Sequence, residues 1–196
     1  MLPGSGDDDE SLVARWASDM DGSAFGSLVV RHGGLMRRAA AVALGSAARR
    51  DPDLVDDAVQ EACVRLVDAL RSFRGDSSPA TFMAAVARRA ALDELRRGLR
   101  HRARGERAAR LAEPPDPAGL DPAAAAERKS ESDELLALLY RLPEPERSLV
   151  YLRDAEGIGV RELAGEFGLP EGTVKSKLAR ARARLKEGAD RAWGTA

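Results

Sequence analysis

The stretch from Val160 to Leu185, VRELAGEFGLPEGTVKSKLARARARL, constrains the fold of this chain more than any other. It reads as a short helix, a turn at Gly168 and a longer basic helix. Leu163, Ala164 and Phe167 give the first helix an apolar face, and Ala164 is small enough for two helices to approach closely. Gly168 can take the left-handed backbone that ends such a helix. Beyond the turn, Val174, Leu178, Ala181 and Leu185 recur every three or four residues and hold one side of the second helix against the rest of a domain. The other side carries Thr173, Lys175, Ser176, Lys177, Arg180, Arg182 and Arg184, with no acidic residue before Glu187. A run of Lys and Arg is usually only a solvated face. Here the small crossing residue, the turn glycine and the one-signed face meet the geometric demands of a helix-turn-helix, whose second helix enters a major groove. The cations can neutralise phosphates, and several donors can reach base edges.

Composition extends the helical reading to the whole chain. Of 196 residues, 44% are hydrophobic but only 4% aromatic. Ala, Leu, Arg and Glu dominate, and the β-branched runs that strands need are missing, which predicts an all-α fold of two small helical domains. The lone Cys63 has no partner for an internal disulfide, and with only His32 and His101 beside it no metal-ligand cluster arises. No cofactor is expected. The start MLPGSGDDDE lacks the basic segment of a secretion signal, and no apolar run reaches the ~20 residues of a membrane span. A cytoplasmic location with no membrane contact is the expectation.

The formal net charge of −1 hides alternating blocks: −5 over residues 1–70, +7 over 71–110, −8 over 111–171 and +5 over 172–196. Two positive blocks imply two places for a polyanion, with acidic surface left for other partners. Residues 1–20 are Gly- and Asp-rich at the start and are expected to be disordered, with Leu12, Val13 and Trp16 able to add a short helical turn. A helix is expected from Phe25 to about Leu44, with Leu28, Leu35, Met36 and Val42 inward and Gly33 and Gly34 weakening it locally. Another begins around Pro52 and runs to a break near Ser72, with a stripe of Val55, Val59, Ala62, Leu66 and Leu70. Its polar side gathers Asp56, Asp57, Gln60 and Glu61. These acids can complement the positive end of the helix or await a basic partner, and the residues alone leave both readings open.

Ser78 and Pro79 make a helix start, a capping serine followed by a first-turn proline. The helix ATFMAAVARRAALDELRR then buries Phe82, Val86 and Leu95 and displays Arg88, Arg89, Arg96 and Arg97. Part of that charge can be an intrahelical ladder, since Arg89, Asp93 and Arg97 are spaced four apart. Residues 101–129, with prolines at 114, 115, 117 and 122, read as a flexible linker that separates a domain over 21–100 from one over 130–190. In the second domain Leu135, Leu138, Leu139 and Leu142 line a helix ended by Pro143. Leu149, Val150 and Leu152 line the next.

Two segments carry a resemblance. DDAVQEACVRLVDALRSFRGDSSPATFMAAVARRAALDELRR resembles conserved region two of bacterial RNA polymerase sigma factors, and RLPEPERSLVYLRDAEGIGVRELAGEFGLPEGTVKSKLARARARL resembles region four. In this order, across a proline-rich linker, the chain is similar to the two-domain extracytoplasmic-function (ECF) type of the sigma-70 family. The resemblance implies binding to core RNA polymerase, through the clamp helices of its largest subunit and the flap of its second-largest, and to promoter DNA. It also brings in an anti-sigma factor as a further partner. Asp56, Asp57, Gln60 and Glu61 fall at the clamp-docking positions. Phe73, Arg74, Gly75, Asp76 and Ser77 fall in the loop that captures an unstacked base at the minus-ten element, a step that must repay a few kcal/mol of unstacking. Arg88, Arg89, Arg96 and Arg97 would follow the adjacent backbone. Lys175, Ser176 and Arg180 match positions that read the minus-thirty-five element, with Thr173, Lys177 and Arg184 beside them on DNA.

The chain departs from the family pattern in Phe82, where Trp is usual, in Pro79, where an aromatic is common, and in the smaller Cys63 and Val67 on the docking helix. No catalytic residue is expected, because binding energy alone melts and positions DNA for another protein's active site. The alternative is a transcription regulator that binds duplex DNA without polymerase, since the last domain also resembles the output modules of response regulators. Such a protein would carry alternating strands and helices in its first half, which residues 25–100 do not show.

Overall fold

Side-chain or glycine caps bound several of the described helices, and an apolar stripe along one side seats them. A computed structural model describes residues 7–109 and 131–194, and among these every regular element is helical. In chain order they are α1 (Asp9–Asp19), α2 (Gly22–Leu44), α3 (Ser46–Arg50), α4 (Asp53–Ala69), α5 (Pro79–Ala109), α6 (Glu131–Arg141), α7 (Glu146–Asp154), α8 (Val160–Phe167) and α9 (Glu171–Trp193). One 3-10 turn, Leu70–Ser72, closes α4 at the expected break. The all-α expectation holds.

Helices α1 to α5 form a first unit in which α2 and α4 both pack on α5. Its centre is Leu28, Met36, Leu66, Leu70 and Met83, each with no exposed surface. Helix α2 runs unbroken through Gly33 and Gly34, because Asp21 caps its start by accepting from the Ser23 and Ala24 amides and its buried stripe outweighs the glycine penalty. Of its predicted inward residues, Leu28, Met36 and Val42 are buried, while Leu35 packs against the second unit. Ser78 caps α5 as expected, its hydroxyl accepting from the Thr81 amide at 3.2 Å.

Two expectations are corrected. Residues 9–19 are not disordered but form α1, capped by Asp8, with Leu12, Val13 and Trp16 buried. The Trp16 indole donates to the Val67 carbonyl at 3.2 Å, and its ring lies 4.8 Å from that of Phe25. Three apolar side chains on one face find a ready core, which the polar first ten residues obscure. The segment 101–129 is also not wholly linker, because α5 continues to Ala109. Its proline-bearing remainder lies outside the described residues.

Helices α6 to α9 form a second unit around Leu149, Leu163 and Val174, all fully buried. Gly168 ends α8 at φ 63°, and the Leu169 amide reaches back to the Ala164 carbonyl at 2.9 Å. This left-handed cap turns the chain sharply enough for α9 to cross α8. The two units pack against each other. Ala39, Val42 and Ala84 of the first join the apolar cluster of the second, α2 meeting α7 and α5 meeting α8.

Candidate nucleic-acid interface

Helix α9 turns Val174, Leu178 and Ala181 into the core, so the residues between them face out. Lys175, Ser176 and Arg180 are exposed, and Thr173 and Lys177 are half-buried at the edges. The nearest acids are loosely placed: Lys175 lies 3.9 Å from Glu171, and Arg180 3.9 Å from Glu146. Arg184 differs from the rest. It donates to the buried Glu146 carboxylate at 2.6 Å and so ties α9 to α7. Arg182 is likewise held by Asp154 through two hydrogen bonds of 2.9 and 2.6 Å. The open face thus narrows to Thr173, Lys175, Ser176, Lys177 and Arg180, about two helical turns that project where a groove could be read.

The second surface is the loop before α5. Arg74, Gly75 and Asp76 are exposed, with Gly75 at φ 75°, a backbone conformation that favours glycine. Phe73 is half-buried on the first core, its ring 5.1 Å from that of Phe82. Phe82 therefore supports Phe73 from below. Ser77 is half-buried and donates to Glu166 of α8 at 2.7 Å. Arg89, one flank further along α5, donates to the other oxygen of the same carboxylate at 2.7 Å. Arg96 and Arg97 lie farther on, pairing with Asp93 at 2.9 Å and Glu94 at 2.7 Å.

Arg88 does not join this surface, contrary to expectation. Its side chain is 12% exposed, stacked 4.1 Å over the Phe167 ring and 3.6 Å from Glu144. Burial pushes its pKa below the ordinary guanidinium value. The reason is that α5 has two buried faces. Met83, Ala87 and Ala90 pack on the first core, and the flank with Thr81, Ala84 and Arg88 meets the second unit. The four-apart ladder is also revised. Asp93 takes Arg65 of α4 at 2.7 Å, and this tie to Arg65 lowers its pKa.

On α4, Asp57 and Gln60 are exposed as expected. Asp56 is exposed too but hydrogen-bonded by Arg37, and Glu61 turns toward α5, accepting from Arg65 at 2.9 Å with Arg97 at 3.9 Å. Sequence reasoning missed Val64, which is 68% exposed in line with Asp57 and Gln60. An apolar residue in a polar stripe was the available signal, because nothing in the fold covers it. Among the described residues there is no cluster of metal-ligating side chains, and no helix is long and apolar enough to cross a membrane.

Comparison with known proteins accounts for this arrangement. Residues 28–101 match the family model for sigma-70 region 2, and residues 132–185 match that for sigma-70 region 4. The chain is 33% identical over 181 residues to the ECF RNA polymerase sigma factor SigM of Mycobacterium tuberculosis, covering 91% of this chain and 82% of the relative. It is also 33% identical over 179 residues to the ECF RNA polymerase sigma-E factor of Escherichia coli, covering 89% of this chain and 90% of the relative. Among solved structures, CnrH in complex with the cytosolic domain of CnrY superposes with a TM-score of 0.63 at 27% identity, covering 94% of this chain and 99% of that one. The sigma factor RpoE bound to the anti-sigma factor NepR, from Bartonella quintana, shares the fold with a TM-score of 0.61 at 21% identity, covering 85% and 96%. The region 2 match leaves the regulator alternative without support. The chain belongs to the sigma-70 family of RNA polymerase sigma factors, as a member of the ECF type.

Proposed function

We propose that this sigma factor divides promoter recognition between its two units, the first spanning about residues 21–100 and the second about 130–190. Thr173, Lys175, Ser176, Lys177 and Arg180 on α9 read the minus-thirty-five duplex, with Arg184 setting the helix against α7. Phe73 to Ser77, with Arg89, Arg96 and Arg97, take the non-template strand at the minus-ten element. The α4 stripe docks on core polymerase through Asp57, Gln60 and Val64, while Asp56 and Glu61 shape that stripe through their arginine partners. The flap of the polymerase meets the second unit. The protein acts in the cytoplasm and supplies binding energy rather than catalysis.

The observation that carries this reading is the exposed stripe on α4, where Asp57 and Gln60 lead to an uncovered Val64, beside a loop whose Phe73 is braced by Phe82. An uncovered apolar side chain next to a polar row is the kind of surface a protein partner covers. The test is transcription from genomic fragments with purified core polymerase and full-length chain. Asp57→Arg combined with Val64→Glu should abolish co-purification with core polymerase and leave duplex binding by α9 unchanged. Equal loss of both activities would refute the division. Phe73→Ala should leave docking intact and slow strand opening. An anti-sigma factor is proposed as a third partner by likeness to the complex of RpoE with the anti-sigma factor NepR, testable by co-purification from cells.

A further inference from the structure

We infer that Glu146 and Asp154, the first and last residues of α7, are positioning residues that fix the rotation of α9 about its own axis and so decide which of its side chains meet base edges. The inference rests on the reading of α9 as the helix that enters the minus-thirty-five groove, and it names what aims that helix.

Both acids are spent on α9. Arg184 donates to Glu146 Oε2 at 2.6 Å, and Arg180 lies 3.9 Å from Oε1 of the same carboxylate. Asp154 accepts from Arg182 in a forked pair, from Nε at 2.9 Å and from Nη2 at 2.6 Å. A guanidinium forked onto a carboxylate fixes orientation as well as distance. The two grips fall on opposite flanks of α9. At about 100° per residue, Arg180 and Arg184 stand together on one flank, and Arg182 stands half a turn away from them. Val174, Leu178 and Ala181, the residues that α9 buries, lie in the arc between.

The same pairing shows how α7 lies. Its ends are eight residues apart, yet they reach α9 at one height, because Glu146 takes the two arginines that bracket Arg182 and Asp154 takes Arg182 itself. Helix α7 therefore crosses α9 rather than running along it. Nine residues of helix span about 12 Å, and a helix with its side chains is about 10–12 Å wide. Helix α7 is thus as long as α9 is broad, with an acid at each rim. The apolar arc between the rims supplies adhesion, which is non-directional and resists roll weakly. The grips oppose each other, so a roll of α9 in either direction stretches one of them. Glu146 is 6% exposed, and a charge so buried is costly to leave unpaired. Asp154 is 42% exposed and grips more weakly. Without the grips, roll would carry Lys175 and Ser176 from base edges toward a sugar-phosphate wall of the groove, where contacts hold without reading sequence.

The experiment uses the full chain and a random-sequence pool of short duplexes. The pool is enriched by binding, and preference is the ratio of affinities for the most enriched duplex and for its scrambled sequence. Glu146→Gln with Asp154→Asn should lower that preference about five- to tenfold, the low end of what one base contact is worth. It should also steepen the salt slope by up to about two, because Arg182 and Arg184 pass from the acids to phosphates. Glu146→Gln alone should account for the larger share. Glu187→Gln with Asp190→Asn adds the same charge to α9 at exposed positions beyond both grips and should leave the preference unchanged. Arg182→Asp alone should lower the preference, and Asp154→Arg added to it, which rebuilds the exposed pair in reverse at the original net charge, should restore it. Thermal melts confirm that each variant is folded at the temperature of the titrations. A role in stability alone would move the melts and spare the preference. An unchanged preference in the Glu146→Gln, Asp154→Asn protein would overturn the inference, as would an equal loss in the charge control or a reversed pair that restores nothing. The underlying reading of α9 is judged separately, by the effect of Arg180→Ala on duplex affinity.

Discussion

The two basic surfaces differ less in charge than in how much of it is free. On α9, Lys175 and Arg180 have no acid closer than 3.9 Å among the described residues, whereas on α5 Arg89 is bound at 2.7 Å to Glu166 and Arg88 is folded inward onto Phe167. A helix that rides at the edge of its unit keeps part of its charge free, Lys175 and Arg180 here, while Arg182 and Arg184 are tied at 2.6 Å. One that is packed on two flanks spends it. Counting Lys and Arg therefore measures the charge that a segment owns and not the charge that it offers to DNA, and the partner that makes the difference lies 77 residues away in sequence.

The harshest test of this contrast removes what both surfaces share. Leu163 has no exposed surface and is the buried anchor of α8, which packs on α9 and carries Glu162 and Glu166. Leu163→Ala should cost about 2–5 kcal/mol of stability through lost burial and a cavity. Urea melts would measure that loss. If the contrast is right, duplex binding by α9 should fall while access to the first unit rises. Parallel loss at both surfaces would show that α8 serves only as structure.

A smaller effect sharpens the comparison residue by residue. Arg180→Ala should weaken duplex binding by about 1–3 kcal/mol and lower the salt slope by about one, because it removes a cation held only loosely, 3.9 Å from Glu146. Arg89→Ala should cost single-strand binding less than that. Losing the contact to DNA is offset by losing the contact to Glu166. Titrations of both variants across a range of salt concentrations would separate the two. Equal penalties would mean that Arg89 is as free in solution as Arg180.

Much of this architecture was legible in the sequence because local signals agree with one another. The Ser78 and Pro79 start, the Gly168 stop and the apolar stripes of α4 and α9 all place their helices where they are found. What escaped reading is what depends on distant partners. Trp16 anchors α1 only because the Val67 carbonyl is presented to it, and Arg88 is buried only because Phe167 arrives from the other unit. Arg184 looked like its neighbours on α9, and only the position of Glu146 distinguishes it. A period of 3.6 residues tells which side of a helix is apolar. It does not tell that α5 has a second, polar side that is also covered.

The mildest test concerns the tie between Arg38 and Glu156, which holds the units together without touching any proposed DNA contact. Hydrogen bonds from Arg38, aided by one from the Tyr151 hydroxyl at 2.7 Å, hold the Glu156 carboxyl below its usual value, and burial with that same bond pushes the phenol up to about 12. A carboxyl depressed in the folded state contributes stability that is present above its unfolded value, about 4.3 for a glutamate, and is lost as pH falls through the folded one. The affected window therefore lies on the acid side of that value. Arg38 is 53% exposed, so the pair is worth less than about 1 kcal/mol. With spin labels at Val30→Cys and Ala183→Cys in a Cys63→Ala background, the distance distribution between pH 6 and pH 3 should broaden slightly more in that protein than in its Glu156→Gln variant, which has no proton to gain at that site. The difference between the two curves isolates Glu156 from the other carboxyls of the contact. Asp93, also depressed, lies within the first unit and should appear in its melt rather than in the distance. Identical curves for the two proteins would assign the packing of the units to the shared apolar cluster, the α8 carboxylates and Arg147 of α7, which donates to the Ala43 carbonyl of α2 at 2.6 Å.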